Sequence, residues 1–249
     1  MDWEDHGIVL AERRHGESSA IVTLLTAMHG RHAGRVRSAQ GPRTRGIFVP
    51  GNLVLASWRA RLDEHLGTYT AELVTPFAAR VLEDPDRLAC LASACALSDL
   101  ALPEREPHPR AFAALQALLE AAAGADWPAV YVRWELDLLA ELGFGLDLRR
   151  CALTGVTDDL GFVSPRTGRA VSLAAAAPWR GRLLALPRFL IDAQATAAPA
   201  DLSAGLALTG HFLAAHLFAP HGRGEPGART RLLERIARLA TISGRSEVQ

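Results

Sequence analysis

Residues 30–61 read GRHAGRVRSAQGPRTRGIFVPGNLVLASWRAR, and this stretch decides what the first part of the chain folds into. It carries seven arginines, Arg31, Arg35, Arg37, Arg43, Arg45, Arg59 and Arg61, and no Asp or Glu. Arg35-Val36-Arg37 alternates with the period of a strand that exposes one face and buries the other. Val36, Leu53, Leu55 and Trp58 supply apolar partners for the buried side. The formal net charge of the chain is zero, so the distribution of charge, not its total, marks a surface for an anionic partner. Guanidinium groups fork onto phosphate, stay charged and stack on bases, which fits nucleic acid. A solvated face that keeps the domain soluble is the competing account of the same residues.

Around this stretch the chain reads as short strands punctuated by turns. Gly7–Glu12 and Ala20–Thr26 precede it, with His15-Gly16-Glu17-Ser18 and His29-Gly30 as turn signals. Arg31–Ser38 is the third strand, and Leu53–Leu62 and Thr68–Val74 are the last two. Five strands with turns between them predict a small closed barrel or sandwich, and a barrel of this length has the size of an OB-fold. The Gly41–Gly46 loop, rich in Gly, Pro and Arg, is expected to be mobile without a ligand. Of the nearby aromatics Phe48, Trp58 and Tyr69, whose rings suit base stacking, Trp58 is expected in the core, and Phe48, in a Gly/Pro-rich loop, is the one of the three expected to be exposed.

From Asp84 the pattern turns helical. Asp84-Pro85 supplies an N-cap followed by Pro at the first helical position, ahead of the Ala/Leu-rich run to Leu102. Phe112, Leu115 and Leu119 recur at helical spacing, and Asp126 caps a further helix with Tyr131, Trp134, Leu138 and Leu142 on one face. Residues 146–188 are irregular, and two helices, about Asp201–Phe218 and Pro226–Ala240, finish the chain. In the last, Leu232, Ile236 and Leu239 form an apolar stripe, with Glu234 placed to pair with Arg238. The expected organisation is an α+β chain: residues 1–79 as a five-stranded OB-fold β-barrel that binds nucleic acid, and residues 80–249 as an all-helical domain with a degenerate zinc-finger-like loop at 146–180.

Composition narrows the class. With 49% hydrophobic and 22% charged residues, the chain belongs with globular proteins rather than disordered ones. All 27 basic residues are Arg, a whole-chain habit matching a GC-rich genome, so Arg in place of Lys is not itself a signal. The acidic opening MDWEDHGIVL is not read as a signal peptide, and no run is long enough to span a membrane. Three cysteines, Cys90, Cys95 and Cys151, without CxxC spacing point to a reducing cytoplasm.

Catalytic signatures are missing from the sequence: no GxSxG, HExxH, Walker loop or carboxylate cluster with metal spacing, so no enzymatic role is expected. His211, His216 and His221 lie five apart, which does not stack imidazoles on one helical face. Asp158-Asp159 reads as turn chemistry, and Cys90 and Cys95 as small core residues. Cys151 opens what looks like half a zinc knuckle, but no other Cys or His lies within residues 150–180, so neither a metal nor another cofactor is expected.

Several segments, in order, resemble the RecO family of bacterial recombination mediators. They are Asp5-His6-Gly7-Ile8-Val9-Leu10, His15 to Ser19, His29-Gly30-Arg31, Pro50-Gly51-Asn52, Leu66-Gly67-Thr68-Tyr69, Arg133 to Leu139 running into Leu142-Gly143-Phe144-Gly145, Cys151 to Gly155, and Phe162 to Gly168. The resemblance spans essentially the whole chain. It implies a non-catalytic protein of recombinational DNA repair that binds single- and double-stranded DNA, anneals strands, and works with RecR to load RecA onto strands coated by single-strand binding protein (SSB). It implies a cytoplasmic, nucleoid-associated location. It gives the seven arginines of the opening stretch a role in DNA binding, and Arg133 a role in receiving the acidic SSB tail. Arg229, Arg231 and Arg235 would extend the DNA path. Many members hold zinc through two CxxC pairs; here the four places are Cys151, Thr154, Ser172 and Ala175, which implies a metal-free version. The alternative is a protein-interaction adaptor that binds RecR and the SSB tail and touches DNA weakly.

Overall fold

The structure is a computed structural model of the chain. It describes all residues except 38–40, 42, 43, 45, 63, 221, 223 and 247–249; for residues 240–246 it describes the helical backbone alone. Arg43, Arg45, His221 and the core of the Gly41–Gly46 loop therefore lie outside the described residues. The chain forms two compact units, Met1–Trp127 and Pro128–Gln249.

The first unit is built on five strands: β1 (Asp2–His15), β2 (Ser19–Thr26), β3 (Gly30–Arg37), β4 (Leu53–Arg59) and β5 (Thr68–Thr75). They close in the order β1-β2-β3-β5-β4. Closure depends on β1 being long enough to serve two neighbours. Its first half, Asp2–Ile8, pairs with β4, its second half pairs with β2, and an irregularity between Val9 and Ala11 turns the strand from one to the other. The seam between β3 and β5 is parallel and narrow, with Arg35 opposite Thr68.

Strand β3 shows why the arginines end up where they do. Gly30, His32, Gly34 and Val36 point inward and Arg31, Ala33, Arg35 and Arg37 point outward. Gly34 is required by its neighbour: a Cβ there would lie 2.4 Å from the Tyr69 ring. Val9, Val22, Leu24, Val36, Val54, Trp58 and Tyr69 fill the interior. Phe48 joins them at 3% exposure, which corrects the expectation that it lies at the surface. Within the described end of its loop, Asn52 Nδ2 donates to Gly46 O at 2.8 Å and Ile47 O at 3.3 Å.

A single turn, α1 (Phe77–Arg80), leads to α2 (Pro85–Ala101). Asp84 caps α2 as the sequence indicated, its carboxylate accepting from the N–H groups of Asp86 and Arg87 at 3.0 and 3.1 Å. Those bonds outweigh the cost of partial burial and hold the carboxyl below its ordinary range. Helix α2 packs on β1, where the buried Cys95 thiol donates to Val9 O at 3.5 Å. Helix α3 (Pro109–Ala121) completes the unit.

The second unit holds α4 (Trp127–Glu141, entered from the first unit), α5 (Pro199–Leu213) and α6 (Gly227–Ser246). Helix α5 runs on as a π-helical turn, Ala214–Phe218. This unit is not all-helical. Three short strands, β6 (Leu160–Val163), β7 (Ala170–Ser172) and β8 (Leu184–Ala185), form a sheet in the order β7-β6-β8 within the segment expected to be irregular. The chain as a whole is mixed α+β, with an N-terminal five-stranded sheet and C-terminal helices. None of the described helices is long and apolar enough to cross a membrane.

At the centre of the helical layer Glu135, fully buried, receives Arg229 Nε at 2.7 Å and Nη2 at 2.9 Å, and Thr209 Oγ1 at 2.5 Å. Arg229 also pairs with Glu225. Burial alone would lower the pKa of the Arg229 guanidinium, but Glu135 more than offsets it, so the group is held charged. Arg229 at 1% exposure therefore cannot extend a DNA path, contrary to the expectation from sequence. Arg238 bonds the Glu234 backbone carbonyl at 3.2 Å, not the expected carboxylate.

Candidate nucleic-acid interface

Among the described residues two grooves open on the barrel, and their charge separates them. The larger, about 1020 Å³, is floored by Val36, Phe48, Trp58 and Tyr69 and rimmed by Arg37 and Arg59, but Asp2 and Glu4 stand in it as well. The second, about 660 Å³, is lined by His15, Arg35, Arg59, Ala60, Arg61, His65, Leu66, Gly67 and Thr68, with no carboxylate among these described residues. A polyanion is attracted to the second and meets both signs in the first.

The basic groove is assembled from three places in the sequence. His15 ends β1 where the chain turns into β2. Arg35 projects from the outer face of β3. Arg59, Arg61 and His65 come from the end of β4 and the loop that leads to β5. That loop is fixed to the barrel: Trp58 Nε1 donates to Leu66 O at 3.1 Å, and Arg35 N–H donates to Gly67 O at 3.1 Å. Gly67, at φ 64°, packs so closely on the indole that a Cβ would come within 2.3 Å of Trp58 Nε1.

The seven arginines named from the sequence separate into four groups. Arg35, Arg59 and Arg61 converge on the basic groove. Arg59 is 82% exposed with only a loose 3.9 Å contact to Asp2, so its guanidinium is available to a ligand. Arg37 is exposed and lines the larger groove. Arg31 is occupied within the fold: Nε donates to Leu102 O at 2.7 Å and Nη1 to Asp99 at 3.2 Å, which ties β3 to the end of α2. Arg43 and Arg45 are outside the described residues. His15 and His65 were not singled out from the sequence. An isolated histidine in a turn carries no signal until the turn is placed in space.

Ring stacking continues inside the barrel. Trp3 lies 4.2 Å from the His29 ring at 8° and 5.8 Å from Trp58 at 18°. His32 packs edge-on to Trp58 and sits 3.1 Å from Tyr69 Oη through Nδ1. Burial, with the nearby Arg105 charge, lowers the His32 pKa to about 4, so the ring is a neutral core group. Burial likewise pushes the Tyr69 phenol above its ordinary value.

In the second unit, Arg133 is half-buried. Its Nε and Nη2 donate to Phe189 O at 3.1 and 2.8 Å, and its guanidinium carbon lies 5.4 Å from the centre of the Phe189 ring. The zinc-like loop brings three of its four positions into contact. Ser172 N–H and Oγ donate to Cys151 Sγ at 3.3 and 3.5 Å. Burial pushes the thiol up, but hydrogen bonds from Ser172 and Thr154 pull it down to about 6. One sulfur with two hydroxyls, and no ligand atom on Ala175, does not make the N/S tetrahedron that zinc requires. Among the described residues no group of three or more His, Cys, Asp or Glu is arranged to hold a metal ion.

The chain thus joins a five-stranded barrel, whose arginine groove has no carboxylate among its described lining residues, to a helical unit that carries a small sheet. Family models match both parts: "Recombination protein O N terminal" matches residues 1–77 and "Recombination protein O C terminal" matches residues 82–224. The chain is 55% identical to the DNA repair protein RecO of Rhodospirillum centenum, with 98% of each chain covered. It is 51% identical to that of Rhodospirillum rubrum over 96% of this chain and 97% of the relative, and 52% to that of Phenylobacterium zucineum over 97% and 100%. The chain belongs to the RecO family of DNA repair proteins.

Proposed function

We propose that this protein is a DNA-binding recombination mediator whose barrel is an OB-fold and whose basic groove holds the nucleic-acid backbone. The observation that carries the proposal is the convergence of Arg35, Arg59 and Arg61 in one groove with no carboxylate among its described lining residues. The strand order β1-β2-β3-β5-β4 supports the fold reading. So does the groove's position, since OB-folds bind oligonucleotides with the loops after their first and fourth strands, where His15 and residues 59–67 lie. Arg37 extends the path at the rim. Guanidinium contacts to phosphate position the strand without reading its sequence, which suits annealing and the loading of RecA, with RecR, onto SSB-coated strands. The test is fluorescence anisotropy of a labelled oligo-dT titrated with the full chain at several salt concentrations. Replacing Arg35, Arg59 and Arg61 with Ala is expected to weaken binding and flatten the dependence of log affinity on log salt. A variant with the wild-type slope would move the DNA site elsewhere.

One observation favours a second reading, an adaptor for RecR and the SSB tail. Arg133 is held rigidly by a carbonyl and an aromatic ring, so it would receive the carboxylates of an acidic peptide with little ordering cost. Titrating a peptide with the acidic SSB tail into wild type and Arg133→Ala separates the two. Tight, Arg133-dependent peptide binding alongside negligible oligo-dT binding would establish the adaptor.

A further inference from the structure

The β4–β5 loop forms one wall of the basic groove, and three consecutive carbonyls of that wall are each held by a different donor. Leu66 O takes Trp58 Nε1 and Gly67 O takes the Arg35 N–H, both from the barrel itself. The third, His65 O, takes Nη2 of Arg105 at 3.0 Å, and Arg105 lies outside the barrel, in the link between α2 and α3.

That link is fastened along the outer edge of β3. Arg31 and Glu104 form a parallel bridge, the Arg105 N–H donates to Arg31 O at 2.8 Å, and Arg31 Nε donates to Leu102 O at 2.7 Å. Gly30 leaves room for it: a Cβ there would stand 1.9 Å from Glu106 O. Arg105 itself has φ 62°, a region that a residue with a side chain occupies only when its surroundings hold it there. A strained backbone, anchored on β3, thus delivers one guanidinium to the groove wall.

We propose that Arg105 is a positioning residue for the groove: through the His65 carbonyl it holds the wall at residues 65–67 in the shape that a phosphate backbone meets. The proposal rests on the reading of that groove as the DNA site. Pre-ordering the wall removes an ordering cost from binding without adding a phosphate contact, so it acts on affinity and not on the number of counterions released.

The test uses the full-length wild type, Arg105→Gly and Arg105→Lys. Glycine adopts φ 62° without strain, so Arg105→Gly removes the guanidinium while leaving the backbone of the link unforced. Hydrogen exchange of the amides at 65–68 is measured without DNA, then oligo-dT affinity across salt. Arg105→Gly is expected to exchange faster at 65–68, by about 10-fold, and to bind about 3- to 10-fold more weakly with an unchanged salt slope. Arg105→Lys, which still offers an N–H to the carbonyl, is expected to recover part of both. Unchanged exchange at 65–68 overturns the proposal whether or not DNA binds. Faster exchange with unaltered affinity overturns it too. A reduced salt slope would make Arg105 a phosphate contact instead, and faster exchange across the whole barrel would make it a general stabiliser. If wild type fails to bind oligo-dT, the DNA reading falls while the exchange measurement still decides whether Arg105 holds the wall.

Discussion

Arg31 and Arg35 stand on the same face of β3, and nothing in the local sequence tells them apart. Asp99 and Leu102 O, brought in by α2, consume the first, while the second opens onto a groove with no carboxylate among its described lining residues. Sequence reading therefore located the basic stretch and its facing but could not divide it into structural and available cations, because the partners that divide it come from about 70 residues away. Arg229 teaches the same lesson in the other unit. A residue-scale prediction follows for His32, inside the barrel. Its pKa is about 4 in the folded protein against an ordinary 6.5, so the unfolded chain binds the proton first. The stability it contributes is complete above pH 6.5 and is lost as the pH falls toward 4. Urea denaturation at pH 7 and pH 5 is expected to differ by up to about 2 kcal/mol from this residue, less whatever solvent screening removes. His32→Gln, unable to take the proton, is expected to lose that pH dependence while being less stable throughout. An unaltered pH profile in the variant would assign the effect to other groups.

The elements were legible in proportion to their length. The barrel strands, seven residues or longer, are long enough to read as apolar or alternating runs between turn signals. β6, β7 and β8, of four, three and two residues, are too short for any period to register, so their segment reads as irregular. Phe48 misled for a related reason: Gly and Pro around it mark a loop, but loop composition does not say that a side chain of the loop packs into the barrel core. What joins the short strands is visible only in space, and Cys151 is part of it. Removing its sulfur with Cys151→Ala leaves the Ser172 N–H and hydroxyl without their acceptor and is expected to cost about 1–3 kcal/mol, read from thermal or urea unfolding. Chelators are expected to leave the same melt unchanged, since the donor set does not fit zinc; a chelator-sensitive transition would contradict that account. Between α4, α5 and α6 the Glu135–Arg229 pair makes a larger prediction. Breaking it with Arg229→Ala strands a buried carboxylate and is expected to cost about 3–5 kcal/mol, whereas Arg229→Met combined with Glu135→Leu is expected to restore most of the loss. A double variant as unstable as the single one would mean the pair itself, and not the uncompensated charge, sets the stability.

The whole molecule carries no net charge, yet it presents a cationic groove. A uniformly basic protein attracts DNA from any side, and its salt dependence reports dozens of scattered charges. On the proposed reading of the groove as the DNA site, the salt slope counts the arginines that touch phosphate. Three phosphate contacts on a single strand release counterions with a slope near −2, at about −0.7 per contact. Raising salt from roughly 50 to 200 mM is then expected to weaken oligo-dT binding on the order of 20-fold. The triple variant Arg35→Ala, Arg59→Ala, Arg61→Ala is expected to bring the slope close to zero. Each single variant should remove about 0.7 from it, with little loss of thermal stability for Arg59 and Arg61, whose side chains are exposed. A wild-type slope much steeper than about −2 would require more cations than the three groove arginines supply and would bring in Arg37, Arg43 and Arg45. A single-residue series that leaves the slope untouched would show that these arginines only keep the barrel soluble, the one reading of the opening stretch that charge alone never excluded.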